Sequence, residues 1–272
     1  MSTHTHLEKK LNSLFGIFNK TPPALALDFD GVISKLKSDP QSASVDKYCL
    51  ELITKLIGVL PNISIISGRR ACDLKSKINL ADLTYIGNHG AEYIKDGKLI
   101  QEHYSQDTLA IVNCALNYIK STTSQITGLF YEDKILSASI HFRGSNNHES
   151  TKSILLKALE DVPNADKLDI FWGKQILEIR PYSKFNKGYA INQLVKTKNI
   201  TNLIFIGDDT TDIDAMIEIE KMTEIHTIQG FSIAVISDDS NKKLMLHSEC
   251  SIHTMEEVRE VLNILYDYYK IS

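Results

Sequence analysis

Near the start of the chain, the stretch Ala24-Leu25-Ala26-Leu27-Asp28-Phe29-Asp30-Gly31 runs from four apolar residues straight into two carboxylates and a glycine. A short, uniformly apolar run bounded by glycine is the pattern of a strand buried on both faces. Three more runs repeat it. Residues 63–66 lead into Ser67-Gly68-Arg69-Arg70, residues 84–86 into Gly87-Asn88-His89-Gly90, and residues 203–206 into Gly207-Asp208-Asp209 and on to Asp212. Between them lie helical spacings: Tyr48, Leu52, Leu56 and Val59 within 45–60, and similar patterns over 188–195 and 213–219. Strand–helix alternation predicts an α/β fold with a doubly wound, Rossmann-like parallel sheet. Ligands of such sheets bind beyond the carboxyl ends of the strands, so all four polar clusters are expected at one edge.

The composition fits this. The chain has 272 residues, 43% hydrophobic and 24% charged, enough apolar material for a sizeable core and too much for intrinsic disorder. With 30 Lys+Arg against 34 Asp+Glu the net charge is −4, which lacks the cationic surplus of a general nucleic-acid binder. Cys49, Cys72, Cys114 and Cys250 are widely spaced with no CxxC pair, as expected of reduced thiols in a cytoplasmic protein. The string His247-Ser248-Glu249-Cys250-Ser251-Ile252-His253 offers three zinc-type ligands but no fourth, and reads as ordinary surface near a strand end. Leu7, Leu11, Leu14, Phe15 and Phe18 recur at helical spacing and predict an amphipathic helix packed on a domain. No stretch approaches the roughly 20 apolar residues a membrane span needs, so no membrane association is expected.

Five carboxylates, Asp28, Asp30, Asp208, Asp209 and Asp212, gather at the predicted edge. One alone would read as a solvated turn residue. Five in a partly desolvated site repel one another, and a bound divalent cation relieves that repulsion. Few, hard, partly hydrated oxygen ligands suit Mg²⁺. A metal beside a carboxylate suits phosphoryl transfer, in which an aspartate attacks phosphorus once the phosphate charge is offset. Ser67 supplies a hydroxyl at a helix start, and Lys187, ahead of Gly188 and a helical run, supplies a candidate cation.

Asp28-Phe29-Asp30-Gly31-Val32, Ser67-Gly68-Arg69, Lys187-Gly188 and the run 207–212 resemble the four ordered motifs of haloacid-dehalogenase-like phosphatases, and they span most of the chain. The resemblance implies Asp28 as nucleophile, and Asp30 as the acid for the leaving sugar oxygen and then the base for water. It implies Ser67 and Lys187 as phosphoryl-oxygen holders. Mg²⁺ would sit on Asp28, the Asp30 backbone carbonyl and Asp208, with Asp209 and Asp212 in support. A narrower resemblance, to trehalose-6-phosphate phosphatases, rests on residues 86–92, on Glu132-Asp133-Lys134 with residues 140–143, and on Gly173-Lys174 with residues 177–181. It implies trehalose 6-phosphate as the substrate and a cap that closes over the disaccharide. Gly68, Arg69, Asn88, Glu132, Lys134, Arg143, Lys174 and Glu178 are then the substrate-binding positions.

The expected organisation is a core from residues 1–105 and 182–272, with an inserted α+β cap over 106–181. In the cap the patterns predict helices near 107–120 and 149–160, a strand near 134–143 and strands around 168–180. Glu132 and Lys134 share strand parity, as do Lys174 and Glu178, whereas Arg143 has the opposite parity to Lys134. Val32, Ile213 and Met216 depart from the family pattern, which leaves room for another phosphosugar, of the sucrose-phosphate or glycosyl-glycerate-phosphate type. A phospho-accepting regulatory protein is the alternative from another class, and Asp30 beside Asp28 argues against it. The expected protein works on a small phosphosugar as a monomer.

Overall fold

Strand β1 (Ala24–Leu27) lies inside a sheet and is buried along its whole length, as its unbroken apolar sequence requires. The computed structural model describes residues 11, 15, 16, 18, 21–37, 39–95, 97–101, 104–238 and 240–270. They fall into two units. The first draws on Met1–Lys35, Ser44–Ile100 and Phe185–Ser272, the second on Leu36–Ala43 and Gln101–Lys184. The second unit therefore includes, beyond the expected insert, a short segment that follows the first motif.

In the first unit β1 pairs in parallel with β2 (Ile63–Ile66) on one side and β10 (Asn202–Gly207) on the other. The parallel ladder continues through β3 (Thr84–Gly87) beyond β2, and through β11 (Gln229–Val235) and β12 (Cys250–Ile252) beyond β10. Two strands absent from the sequence reading, β4 (Glu92–Lys95) and β5 (Lys98–Gln101), extend the β3 side, with β4 antiparallel to β3. Alternation splits β1 between two faces. Ala24 and Ala26 join a cluster with Phe205, Ile191, Ala215 and Met216, which brings helices α5 (Lys187–Lys198) and α6 (Asp212–Glu224) onto that face. Leu25 and Leu27, pointing the other way, are buried as well. Helices α1 (Lys47–Ile57) and α8 (Met255–Tyr269) pack on each other, and Arg259 of α8 forks onto Asp46, the N-cap of α1, at 2.9 and 2.6 Å. The amphipathic helix expected over the first twenty residues falls mostly outside the described residues, Leu7 and Leu14 among them. Leu11, Phe15 and Phe18 are buried, and Phe15 stacks on Tyr268 at 3.9 Å.

The second unit holds a four-stranded antiparallel sheet in the order β6 (Phe130–Asp133), β7 (Ala138–His141), β9 (Ile176–Pro181), β8 (Leu168–Gly173). Helices α3 (Gln106–Thr122) and α4 (His148–Glu160) are N-capped by Ser105 and Asn147. They cover one face through Val112, Leu116, Leu155, Ile140, Leu177 and Ile179. The single strand expected near 134–143 is a correction: Lys134 lies in a turn, its N–H donating to the Ser137 carbonyl at 2.9 Å with Ile135 at φ 71°. The reversal there means that the parity argument linking Glu132 to Lys134 does not apply. The ladder instead aligns Glu132, Ser139, Glu178 and Phe171 across the sheet, on the face opposite the two helices.

Helices α5 and α6 meet closely at Gly188, where a Cβ would stand 2.5 Å from the Asp214 carbonyl oxygen. Alanine normally gains about 1 kcal/mol over glycine in a helix, whereas overpacking costs about 1–3 kcal/mol. The clash is with backbone, so it outweighs the propensity gain: Gly188→Ala should lower the urea midpoint by the equivalent of about 1–2 kcal/mol.

Candidate active site

The strand ends set out the reactive groups. Asp28 follows β1, and its N–H still donates to the Ile206 carbonyl of β10 at 2.9 Å, so the first motif sits beside the Gly207-Asp208 turn. The chain then folds back, with the Gly31 N–H donating to the Ser34 carbonyl at 2.8 Å. Gly31 adopts φ 80°, and any Cβ there would run into the Asp208 carboxylate. Only glycine meets both demands, the left-handed backbone and the close approach.

Lys187, the first residue of α5, is buried and stands between two aspartates. Its Nζ is 2.6 Å from Asp212 Oδ1 and 3.0 Å from Asp28 Oδ1. Asn186 N-caps α5 by accepting the Tyr189 N–H at 2.8 Å, which fixes where the lysine leaves the helix. Asp212 is wholly buried, and its second oxygen accepts the Asp208 and Asp209 N–H groups, each at 2.9 Å. Asp209 in turn accepts the Thr210 N–H at 2.7 Å. Burial pushes the Asp28 carboxyl well above its usual range; Lys187 opposes the rise, and Asp212, Asp208 and Asp30 add to it. Burial also disfavours the Lys187 ammonium, yet Asp212 and Asp28 hold it charged beyond its ordinary range.

One ammonium is thus set against several carboxylates. Oxygens of Asp28, Asp208 and Asp212 lie within 4.8 Å of one another, the one such group among the described residues close enough to share an ion. An all-oxygen, negatively overcharged cluster fits a hard divalent cation. Two of the positions expected to hold it, Asp28 and Asp208, are therefore together, and Asp212 joins them while also buttressing Lys187. The His247-to-His253 string forms no such group; His247 pairs with Glu220 at 3.0 Å.

The side chain of Asp30 is engaged elsewhere. Arg69 forks onto it, Nε to Oδ2 at 2.6 Å and Nη2 to Oδ1 at 2.9 Å. Ser67 is buried at the end of β2, where its Oγ accepts the Arg69 N–H at 3.2 Å and its N–H donates to the Ile86 carbonyl of β3 at 3.0 Å. Asn88 and His89 take left-handed φ of 46° and 55° and fold onto this loop, the Asn88 N–H donating to the Arg69 carbonyl at 2.8 Å. Gly68 sits against the His89 ring. Glu92, fully buried, accepts the Ala71 N–H at 2.5 Å and so satisfies the first turn of α2 (Ala71–Ile78), which Arg70 does not cap with its side chain. The sequence reading noted Glu92 only within a motif string. No local signal names its partner, which lies one strand away.

In the second unit Glu178 accepts from Lys134 (3.3 Å to each oxygen) and from Ser139 Oγ (2.7 Å), and both charged groups are buried. Glu132 pairs with His141 Nε2 at 2.9 Å. Arg143 donates to the carbonyls of Lys37 and Lys174, both at 2.8 Å, and to Gln175 Oε1 at 3.2 Å. Lys174 thus meets Arg143 through its backbone. Glu132, Lys134 and Glu178 therefore gather around one sheet face, while Arg143 ties the β8–β9 turn to the segment around Lys37. Ser139 and His141 were missed, although their period-two spacing with the polar face was available in the sequence.

A family described as trehalose-phosphatase matches residues 26–249 of the chain. Over 204 residues, 70% of this chain and 57% of the other, it is 31% identical to the probable trehalose-phosphate phosphatase E of Arabidopsis thaliana. Over 253 residues, 85% of this chain and 64% of the other, it is 26% identical to trehalose-phosphate phosphatase B of the same plant. The chain thus spans less than two thirds of these curated relatives. The structure of the C. albicans trehalose-6-phosphate phosphatase C-terminal domain superposes with a TM-score of 0.79 at 19% identity, covering 98% of this chain and 97% of that one. That likeness speaks for the fold.

Two outcomes follow from the charges. Removing one carboxylate from the overcharged cluster should stabilise the metal-free protein. Asp28→Asn should therefore raise its melting temperature in chelator by about 2–4 °C, the shift that ~1 kcal/mol produces in a chain of this size. Glu178→Gln should do the reverse, removing the carboxylate that faces the buried Lys134 ammonium and lowering the denaturant midpoint by the equivalent of about 3 kcal/mol.

Proposed function

This chain belongs to the trehalose-phosphatase family, and we propose that it hydrolyses trehalose 6-phosphate to trehalose and phosphate through an aspartyl-phosphate on Asp28, with Mg²⁺ as its resident ion. The observation that carries the reading is the placement of Asp28 in one buried cluster with Lys187, Asp208 and Asp212, with Asp30 two residues on and outside that cluster.

Asp28, Asp208 and the Asp30 carbonyl would hold the ion, with Asp212 beside them in support. The ion, when bound, supplies positive charge that offsets the carboxylates and the incoming phosphate. An oxygen of Asp28 forms a bond to phosphorus as the bond from phosphorus to the sugar oxygen breaks, and Asp30 gives its proton to that leaving oxygen. Asp30 then takes a proton from water, whose oxygen attacks phosphorus and frees both Asp28 and inorganic phosphate. Lys187 orients Asp28 and, with the Ser67 hydroxyl, balances charge on the phosphoryl oxygens. Asp212 keeps Lys187 in place, and Asp209 helps shape the turn that carries Asp208.

At the phosphate end the proposed contacts are Gly68, Arg69 and Asn88; for the sugar they are Glu132, Lys134, Arg143, Lys174 and Glu178. Clustered polar groups on the face opposite α3 and α4 support the sugar reading, because paired charges and hydroxyl partners are what a polyhydroxyl ligand exchanges with. Val32, Ile213 and Met216, which depart from the family pattern, are buried and bear on packing rather than on the choice of sugar. On the same reading the chain acts as a cytoplasmic monomer. Among the described residues no helix is long and apolar enough to cross a membrane, and none of the four cysteines is in a disulfide.

Phosphate release from trehalose 6-phosphate, sucrose 6-phosphate, glucose 6-phosphate and an aryl phosphate, each with and without Mg²⁺, tests the proposal. Trehalose 6-phosphate should give the highest kcat/KM, and chelation should abolish turnover. Asp28→Asn should lose roughly 10⁴-fold or more, and Asp30→Asn roughly 10²–10⁴-fold. Undiminished turnover in chelator or in Asp28→Asn would refute the mechanism, and a clear preference for another sugar would refute the substrate. A single slowly decaying phosphorylation of Asp28 without multiple turnover would instead favour a regulatory role.

A further inference from the structure

We propose that Asp73 is a positioning residue for the reaction. Through Arg69 it holds the orientation of the Asp30 carboxylate, the proposed acid for the leaving oxygen. The inference rests on the reading of Asp30 as the acid and adds a residue that no motif contains.

The Arg69 guanidinium is engaged along two edges and on one face. Nε and Nη2 fork onto the two oxygens of Asp30, and the group lies over the Phe29 ring at 5.3 Å. The remaining edge, Nη1, donates to Asp73 Oδ2 at 3.1 Å. The arginine is buried, with 9% of its side chain exposed, whereas Asp30 and Asp73 are 30% and 37% exposed. The guanidinium is therefore the fixed middle of a chain with an acid at each end. Asp73 is itself placed. It lies in the first turn of α2, where a carboxylate is favoured by the helix dipole, and its Oδ1 is 3.6 Å from Lys77 one turn on. The start of α2 is anchored by Glu92 on the Ala71 N–H.

Asp30 sits in the turn that leaves β1, without a strand or helix of its own beyond a bridge to Ser34. Its orientation is set by the fork, and the fork by what holds the other edge of the guanidinium. With Nη1 released, Arg69 can pivot in its plane and carry the Asp30 oxygens with it. A displacement of about 1 Å at a reacting group costs up to about 100-fold. The exposed end of the chain lets water replace part of the lost contact, so a smaller loss is expected.

The test uses leaving groups. A sugar alkoxide needs the proton as it departs, whereas p-nitrophenolate leaves readily without one. kcat/KM reports the step in which that group departs, before water enters. Asp73→Ala should lower kcat/KM on trehalose 6-phosphate about tenfold and on p-nitrophenyl phosphate less than about twofold. Asp73→Asn, whose amide oxygen still accepts from Nη1, should restore the first value to within about twofold of wild type. Asp30→Asn is the reference and should show the same selectivity more strongly. Selective loss in Asp30→Asn with equal loss on both substrates, or no loss, in Asp73→Ala would overturn the role of Asp73 alone. Non-selective loss in Asp30→Asn would overturn the acid assignment and the proposal with it. Should Asp73→Ala fold poorly in a thermal melt, Asp73→Leu and Asp73→Ser provide the same comparison.

Discussion

The first unit is organised around negative charge held away from water with too little positive charge to balance it. Two unit charges 4 Å apart near a protein surface interact by about 4 kcal/mol at an effective dielectric near 20, so several carboxylates cannot share a buried pocket without an organised response. Lys187 is the interior part of that response, placed between Asp28 and Asp212. The rest of the local architecture serves its placement. Asn186 caps the helix that starts at the lysine, Gly188 lets that helix press on α6, and Asp212 gives its second oxygen to two backbone N–H groups. The parallel register of β1 beside β10 then brings Asp28 and Asp208 to the same level of the sheet.

The second unit solves a different problem. Its sheet has one apolar face, under α3 and α4, and one face that carries Glu132, Ser139 and Glu178 in register. A buried Lys134–Glu178 pair costs desolvation and contributes little net stability against an apolar alternative of the same volume. A fold selected for stability alone gains nothing from it. On the proposed function the pair would serve to orient a polar ligand, at the expense of a few kcal/mol of packing. Arg143 works at the margin of the same unit, joining three chain segments through two backbone carbonyls and one amide.

Much of this was legible from residue order, for reasons that differ by element. The strands of the parallel sheet announce themselves because burial on both faces demands runs such as 24–27 and 203–206, and glycine at their ends marks the turns. The convergence of Asp28, Ser67 and Asp208 follows from topology, since parallel strands present their carboxyl ends on one side. Partners across the sheet were not legible. That Glu92 would satisfy the first turn of α2, or that Arg69 would hold Asp30, depends on side-chain reach between segments remote in sequence. The turn at Lys134–Ser137 hid for a local reason: its left-handed residue is Ile135, not the glycine or asparagine that signals such a backbone. Strands β4 and β5 were missed because each holds only one adjacent apolar pair, Tyr93-Ile94 and Leu99-Ile100, too short a run to stand out from loop sequence.

Two aspartates separated by one residue end in opposite environments, and the geometry explains how. In a continuing strand Asp28 and Asp30 would share a face. The strand stops at Leu27, and the tight return through Gly31 to Ser34 turns Asp30 out of alignment. Asp28 is left pointing into the pocket against an ammonium, while Asp30 meets a guanidinium in partial contact with solvent. The ammonium is a compact point charge suited to a crowded interior, and the planar fork suits a carboxylate whose orientation must be fixed. On the proposed mechanism the nucleophile and the proton-transfer group need that division of environments, since one must stay shielded and the other must exchange protons with water. Gly31 is therefore the pivot on which the pair depends: it supplies the left-handed turn that separates the two side chains and the missing Cβ that lets Asp208 close up behind them.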